Sequence, residues 1–258
     1  NLRLPLIMVG SAGSGKTVVM AMLIAWHTLN KVANPKDARF GDSFLVVTPG
    51  ITIKDRLRVL LPSDPENYYR KMDLVPEDLR EELQKAKVLV TNYHAFIPRE
   101  KVSTSKTGKI VLTGGKADSA GIFTETPEEM VRRVCRDFGN KRNLIVINDE
   151  AHHCYRSRPA DKEKMSAEER EEAKEREKEA RVWISGLEAI KRELTLKGKA
   201  GVPVVYDLSA TPFFLRGSGY AEGTLFPWVV SDFSLIDAIE CGIVKVPRVP
   251  VADDSNLT

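Results

Sequence analysis

The chain has 258 residues, 42% hydrophobic and 29% charged, enough apolar material for one large domain or two small ones and too much for a disordered chain. Lys and Arg number 39 against 36 Asp and Glu; the resulting +3 is compatible with a nucleic-acid partner without arguing for one. No apolar run approaches the roughly 20 residues needed to cross a bilayer, so no membrane partner is expected. The cysteines, Cys135, Cys154 and Cys241, form no C-x-x-C pair, and they fit a reducing cytoplasm better than a disulfide framework. The chain opens Asn1-Leu2-Arg3 with neither Met nor an apolar leader, and the expectation is a fragment or a processed chain.

In chain order, short Val/Ile/Leu runs alternate with longer amphipathic stretches. Strands are predicted at Leu4 to Val9, Phe44 to Thr48, Val88 to Thr91, Leu144 to Ile147 and Val202 to Leu208. Each is about strand length and apolar on successive residues, which is how parallel strands buried on both faces read. Helices are predicted at Lys16 to Asn30, Glu77 to Ala86, Pro127 to Phe138 and Ala167 to Leu194. The alternation predicts an α/β, doubly wound, mainly parallel sheet. Two segments interrupt it and are expected to be surface insertions, at 98–126 and 156–182. The first is rich in Lys, Ser, Thr and Gly, with one β-like piece at Lys109 to Thr113. The second is dominated by Lys, Glu, Arg and Ala with nearly cancelling signs, so it reads as a solvated helix that turns amphipathic at Val182, Trp183, Ile184, Leu187 and Ile190.

Gly10-Ser11-Ala12-Gly13-Ser14-Gly15-Lys16-Thr17 fits G-x-x-x-x-G-K-[ST], between a predicted strand and a predicted helix. Glycines let the backbone curl with its N–H groups inward as an anion nest, and the following helix adds its positive N-terminal end. Lys16 would reach the β- and γ-phosphates of ATP, and the Thr17 hydroxyl would ligate Mg²⁺. The alternative, a glycine-rich turn that merely caps a helix, has no need of all eight positions.

A second site is expected at the end of an adjacent parallel strand. Leu144-Ile145-Val146-Ile147 leads to Asn148-Asp149-Glu150-Ala151-His152. Asp149 can hold Mg²⁺ opposite Thr17, and Glu150 can orient or deprotonate an attacking water. The adjacent His152 and His153 are expected to diverge, and no third ligand lies at zinc spacing. Thr48, Thr91 and Asn92 stand at strand ends, where their polar groups suit phosphate contacts or helix capping equally.

Asp149-Glu150-Ala151-His152, preceded by the 10–17 loop and followed by Ser209-Ala210-Thr211, resembles the first RecA-like lobe of a superfamily 2 helicase or translocase. Val46-Val47-Thr48-Pro49 and Val90-Thr91-Asn92 resemble that family's nucleic-acid-contacting motifs. More narrowly, Asp149 to Tyr155, Asp207 to Phe213 and Asp237 to Val244 look like the Res subunits of type III restriction enzymes. The resemblance implies a RecA-like P-loop NTPase domain over 1–258 with a charged helical insertion, and an exit segment at 231–258 leading to a second lobe. It implies an ATP hydrolase driving DNA translocation through backbone contacts, with a second RecA-like lobe and a modification methyltransferase subunit as partners. It implies coupling roles for His152, Ser209 and Thr211. Because the family's second lobe supplies an arginine finger, the isolated chain is expected to turn over ATP poorly. Asn148 departs from the family, where the position is usually apolar, and is read as marking the strand's end; His153 and Tyr155 receive no role. The alternatives are a P-loop ATPase that remodels proteins or RNA, and a nucleotide-gated, non-catalytic binding domain.

Overall fold

Apolar runs too short for helices have to be covered on both faces, and the computed structural model covers them so. It describes residues 6–10, 13–100, 124–141, 143–155, 166–196, 201–211 and, between 213 and 244, all but 215–217, 219, 222 and 228. One six-stranded sheet contains β1 (Leu6–Gly10), β2 (Ser43–Thr48), β3 (Lys87–Asn92), β4 (Leu144–Asp149), β5 (Val205–Ser209) and β6 (Val229–Phe233). The strand order is β3-β2-β4-β5-β1-β6, and every pairing is parallel. The doubly wound α/β class expected from the sequence is therefore the observed one. β6 escapes sequence reading because Val229-Val230-Ser231-Asp232-Phe233 carries Ser231 and Asp232, which an edge strand, paired among the described residues with β1 alone, tolerates.

Successive residues of the central strands feed two separate cores. Phe44, Val46, Ile145 and Ile147 pack with Met20, Ala21 and Ile24 of α1 (Lys16–Ala33). The same face is completed from α2 (Ile51–Arg56), α3 (Tyr68–Lys71) and α4 (Arg80–Leu83) by Ile53, Tyr69 and Leu83. Leu45, Val47, Leu144 and Val146 point the other way, onto α5 (Pro127–Val134) and α6 (Ala167–Leu196). After β6 comes α7 (Leu235–Glu240).

The predicted helix at 77–86 is a 3-10 turn (Glu77–Leu79) followed by the single-turn α4, and the one at 127–138 breaks after Val134 into a 3-10 turn (Arg136–Phe138). α5 begins where a capping box fixes it: the Thr126 hydroxyl accepts the Glu129 N–H at 3.3 Å, Glu129 Oε2 accepts the Thr126 N–H at 2.8 Å, and Pro127 opens the first turn. The β-like piece at 109–113 lies outside the described residues. Among the described residues no helix is long and apolar enough to cross a membrane.

α6 changes character along its length. Its first turns are charged and largely solvated, whereas Ala180, Trp183, Leu187, Ile190 and Leu194, spaced three and four apart, are buried. Gly186 lies on that buried stripe because the Phe96 side chain occupies the space another side chain would need: a Cβ there would overlap Phe96 Cγ and fall 2.6 Å from Phe96 Cβ. Those atoms lie at the root of the Phe96 side chain, so swinging the ring's tip away gives no relief. Gly186→Ala tests this close approach. Alanine's helix preference favours the variant by about 1 kcal/mol, while overpacking a filled core costs about 1–3 kcal/mol. We expect the clash, between backbone-near atoms, to fall in the upper part of that range and to win, lowering the unfolding free energy in a denaturant titration by up to about 2 kcal/mol; unchanged or higher stability would contradict the packing described.

Candidate active site

Because all strands are parallel, Gly10, Thr48, Asn92, Asp149 and Ser209 end on one edge of the sheet. The register holds Val9 level with Ser209, Asp149 with Leu208 and Thr48 with Asn92. The acidic pair is not on the strand next to β1, as expected from sequence, because β5 lies between them. Ser209 is thereby set between the 10–17 loop and the acidic corner.

The loop leaves β1 at Gly10 and enters α1 through Gly13, Ser14 and Gly15; Ser11 and Ala12 lie outside the described residues. Gly13 and Gly15 have φ of 81° and 92°, left-handed values that favour glycine. A Cβ on Gly10 would come 2.7 Å from Ser14 Oγ, so a larger residue there would displace that hydroxyl. Gly15 is the N-cap of α1 and has no side chain to bond the first-turn N–H groups. Lys16 Nζ donates to the Gly10 carbonyl at 3.1 Å and lies 3.5 Å from Glu150 Oε1. Thr17, the next residue of α1, is half-buried.

At the end of β4, Glu150 adopts φ 49° and ψ 49°, a left-handed conformation costing a non-glycine residue about 1–2 kcal/mol. This turns its carboxylate towards Lys16 on one side and His152 on the other, where Oε2 is 3.6 Å from His152 Nδ1. His152 Nδ1 is also 3.0 Å from Ser209 Oγ. The Ser209 hydroxyl donates to the Thr211 carbonyl at 3.0 Å and accepts the Thr211 N–H at 3.0 Å, which assigns the donor role in the histidine contact to Nδ1–H. Burial, reinforced by the neighbouring His153, lowers the His152 pKa to about 4. Lys16, Glu150, His152, Ser209 and Thr211 are therefore joined across β1, β4 and β5.

Asp149 is nearly buried, and its carboxyl is raised to about 6, first by burial and then by the charge of Glu150, with Lys16 and Arg56 acting in the opposite sense. A cation beside it would favour the charged form. The donor set suits a hard divalent ion: a carboxylate on β4 and a hydroxyl on α1, both oxygen ligands. The glycine-lined loop and uncapped helix end suit phosphate oxygens. The residues present thus fit Mg²⁺ and a nucleotide.

The three residues suggested for nucleic-acid contact differ. Thr48 is fully buried, and its hydroxyl donates to the Gly50 carbonyl at 2.9 Å, so it shapes the turn after β2 and is withdrawn from solvent. Thr91 and Asn92 are half-buried, and Asn92 does not cap the following 3-10 turn (Tyr93–Phe96) with its side chain.

Several residues act here that sequence reading missed. Asn148 does more than mark a strand end: its Nδ2 donates to Asp207 Oδ1 at 2.7 Å, and its Oδ1 accepts the Trp183 indole N–H at 3.0 Å. Tyr155 donates to Asp207 Oδ2 at 2.8 Å. The paired histidines do not splay as expected; their rings are 4.3 Å apart and tilted by 37°, although their Nδ1 atoms serve different partners. Arg56 has no local motif; only the fold brings its charge towards Asp149.

A family model described as type III restriction enzyme, res subunit, matches residues 3–213. No curated protein and no solved structure matches the chain.

Asp207 gives this site a pH signature. Burial raises its carboxyl to about 6, against the lowering effect of its bonds from Asn148 and Tyr155. Its folded-state value exceeds the ordinary carboxylate value of 3.8, so the stability it contributes is full below about 4 and is lost as pH rises through about 6. In Asp207→Asn the amide keeps one acceptor for Asn148 and turns the Tyr155 hydroxyl into an acceptor. We expect the wild type to lose about 2–3 kcal/mol of unfolding free energy relative to this variant between pH 4 and pH 7, each pKa unit being about 1.4 kcal/mol. A difference flat across that window would contradict the assignment.

Proposed function

The chain belongs to the family of type III restriction enzyme res subunits, a helicase-type ATPase motor domain of restriction enzymes, and from that premise we propose that it hydrolyses ATP to drive translocation along DNA. The observation that supports this reading is the meeting of Lys16 and Glu150 at 3.5 Å beside Asp149, an ammonium and a carboxylate at one corner that suit phosphate binding and water activation. In the proposal, the N–H groups of residues 10–17 hold the phosphates and Lys16 leaves Glu150 to pair with the β- and γ-phosphates. Glu150, released from that ion pair, accepts the proton of a water attacking the γ-phosphorus, and the bond to the leaving ADP oxygen breaks.

Thr17 and Asp149 would hold Mg²⁺. When bound, that ion neutralises charge shared by the β- and γ-phosphates. His152, fixed to Ser209 and lying beside Glu150, carries the coupling role, with Ser209 and Thr211 extending it towards the segment after β5. Thr91 and Asn92 are the proposed contacts to the DNA backbone, which would read phosphate and not sequence. Thr48 is no longer among them. A second RecA-like lobe and a modification methyltransferase subunit complete the proposed assembly, with the chain serving as its first lobe.

Glu150→Gln tests the assignment. The amide keeps the shape, cannot accept the water's proton, and no longer draws Lys16 away from phosphate. We expect Mg·ATP affinity equal to or tighter than wild type, with single-turnover cleavage reduced at least about 100-fold, the lower range for general-base catalysis. Cleavage at the wild-type rate would remove Glu150 from the mechanism.

A further inference from the structure

The charged helix α6 reaches the active-site edge through two residues one turn apart, Glu179 and Trp183. The half-exposed Glu179 carboxylate is shared between two loops: Oε1 accepts the Tyr93 hydroxyl at 2.8 Å, and Oε2 lies 3.2 Å from His153 Nδ1. Tyr93 also stacks on Trp183, with ring centroids 5.7 Å apart and planes at 8°. Trp183 in turn bonds Asn148, the residue before Asp149.

The two loops bridged by Glu179 are those the proposed function needs to connect. Tyr93 opens the 3-10 turn directly after Thr91 and Asn92. His153 belongs to the 3-10 turn (Ala151–Cys154) that also carries His152, which contacts Ser209 and lies beside Glu150. The first turn has little freedom of its own. Arg133 donates from Nη1 to the Ala95 carbonyl at 2.9 Å and from Nη2 to the Ile97 carbonyl at 3.3 Å, while Phe96 sits against Gly186. A displacement at Asn92 therefore moves Tyr93 together with its partners on α6, and among the described residues Glu179 gives a direct polar link onward to the histidine turn. Holding α6 to the sheet does not require this carboxylate, because Trp183, Leu187 and Ile190 are buried on the same helix.

We infer that Glu179 is a positioning residue that transmits nucleic-acid occupancy of the β3 exit to the Glu150–His152 corner, through its bonds to Tyr93 and His153. The inference rests on the proposed function, since it presupposes that DNA engages Thr91 and Asn92. It gives His153 and the charged helix the roles that the sequence alone does not supply.

The test is steady-state ATPase of the full-length protein, with and without duplex DNA, for wild type, Glu179→Ala, Glu179→Gln and Tyr93→Phe. Basal kcat and the KM for ATP should stay within about twofold of wild type in all three variants. DNA-stimulated kcat should fall about three- to tenfold in Glu179→Ala and Tyr93→Phe, inside the roughly 2- to 30-fold range for changes at residues that couple sites. Glu179→Gln keeps an acceptor for Tyr93 and should recover part of the stimulation. Tyr93→Phe removes a single hydroxyl and keeps the test decisive if Glu179→Ala folds poorly. Full stimulation in Glu179→Ala and Tyr93→Phe, or a parallel fall of basal and stimulated rates, would overturn the inference while leaving the proposed function intact. A wild type that no DNA stimulates would overturn the functional reading and the coupling with it.

Discussion

The parallel direction of all six strands brings their carboxyl ends to one edge, and the chemistry of this chain depends on what the sheet's register delivers there. Gly10 is level with Phe233, Val9 with Ser209, Asp149 with Leu208 and Thr48 with Asn92. That register is fixed by burial on both faces: Phe44 and Val46 feed one core, Leu45 and Val47 the other. A slip of one residue in β4 would send its apolar side chains to the wrong cores and misplace Asp149 together with Glu150. The apolar strands are thus the frame that sets the distance between Lys16 and Glu150.

Within that apolar sheet sits a small polar island. Asn148, Asp207, Trp183 and Tyr155 join β4, β5, α6 and the segment after Cys154 through three hydrogen bonds of 2.7 to 3.0 Å. A buried polar atom left unpaired costs about 1–3 kcal/mol, so a network with these atoms paired tolerates few other arrangements of the four segments. Its position beneath the Asp149–Glu150 corner gives the left-handed turn at Glu150 a rigid base. Asp207 remains the island's costly member, since burial works against its charge.

What the sequence disclosed depended on how local the signal was. The glycine-rich 10–17 segment and the Asp149-Glu150 string are contiguous, and the strands that precede them are continuous apolar runs, so their places at strand ends are readable directly. The insertion of β5 between β1 and β4 is a property of chain crossing that no local pattern encodes. β6 was hidden by Ser231 and Asp232. The partners of Asn148, His153 and Tyr155 lie on segments far away in sequence, so an amide where an apolar residue was expected looked like a strand end. Thr48 shows the converse: its residue type suited phosphate contact, but full burial and the bond to Gly50 commit it to the turn.

The central claim is that the 10–17 loop and the acidic corner form one Mg·ATP site, with Lys16 as the group that passes between Glu150 and phosphate. Titration calorimetry of Mg·ATP into the wild type and Lys16→Ala tests it most directly. The account expects wild-type binding that weakens on chelation of Mg²⁺, and at least about tenfold weaker binding by Lys16→Ala, the loss of one charge-assisted contact being about 1.5–3 kcal/mol. Equal affinity in the two proteins would contradict it.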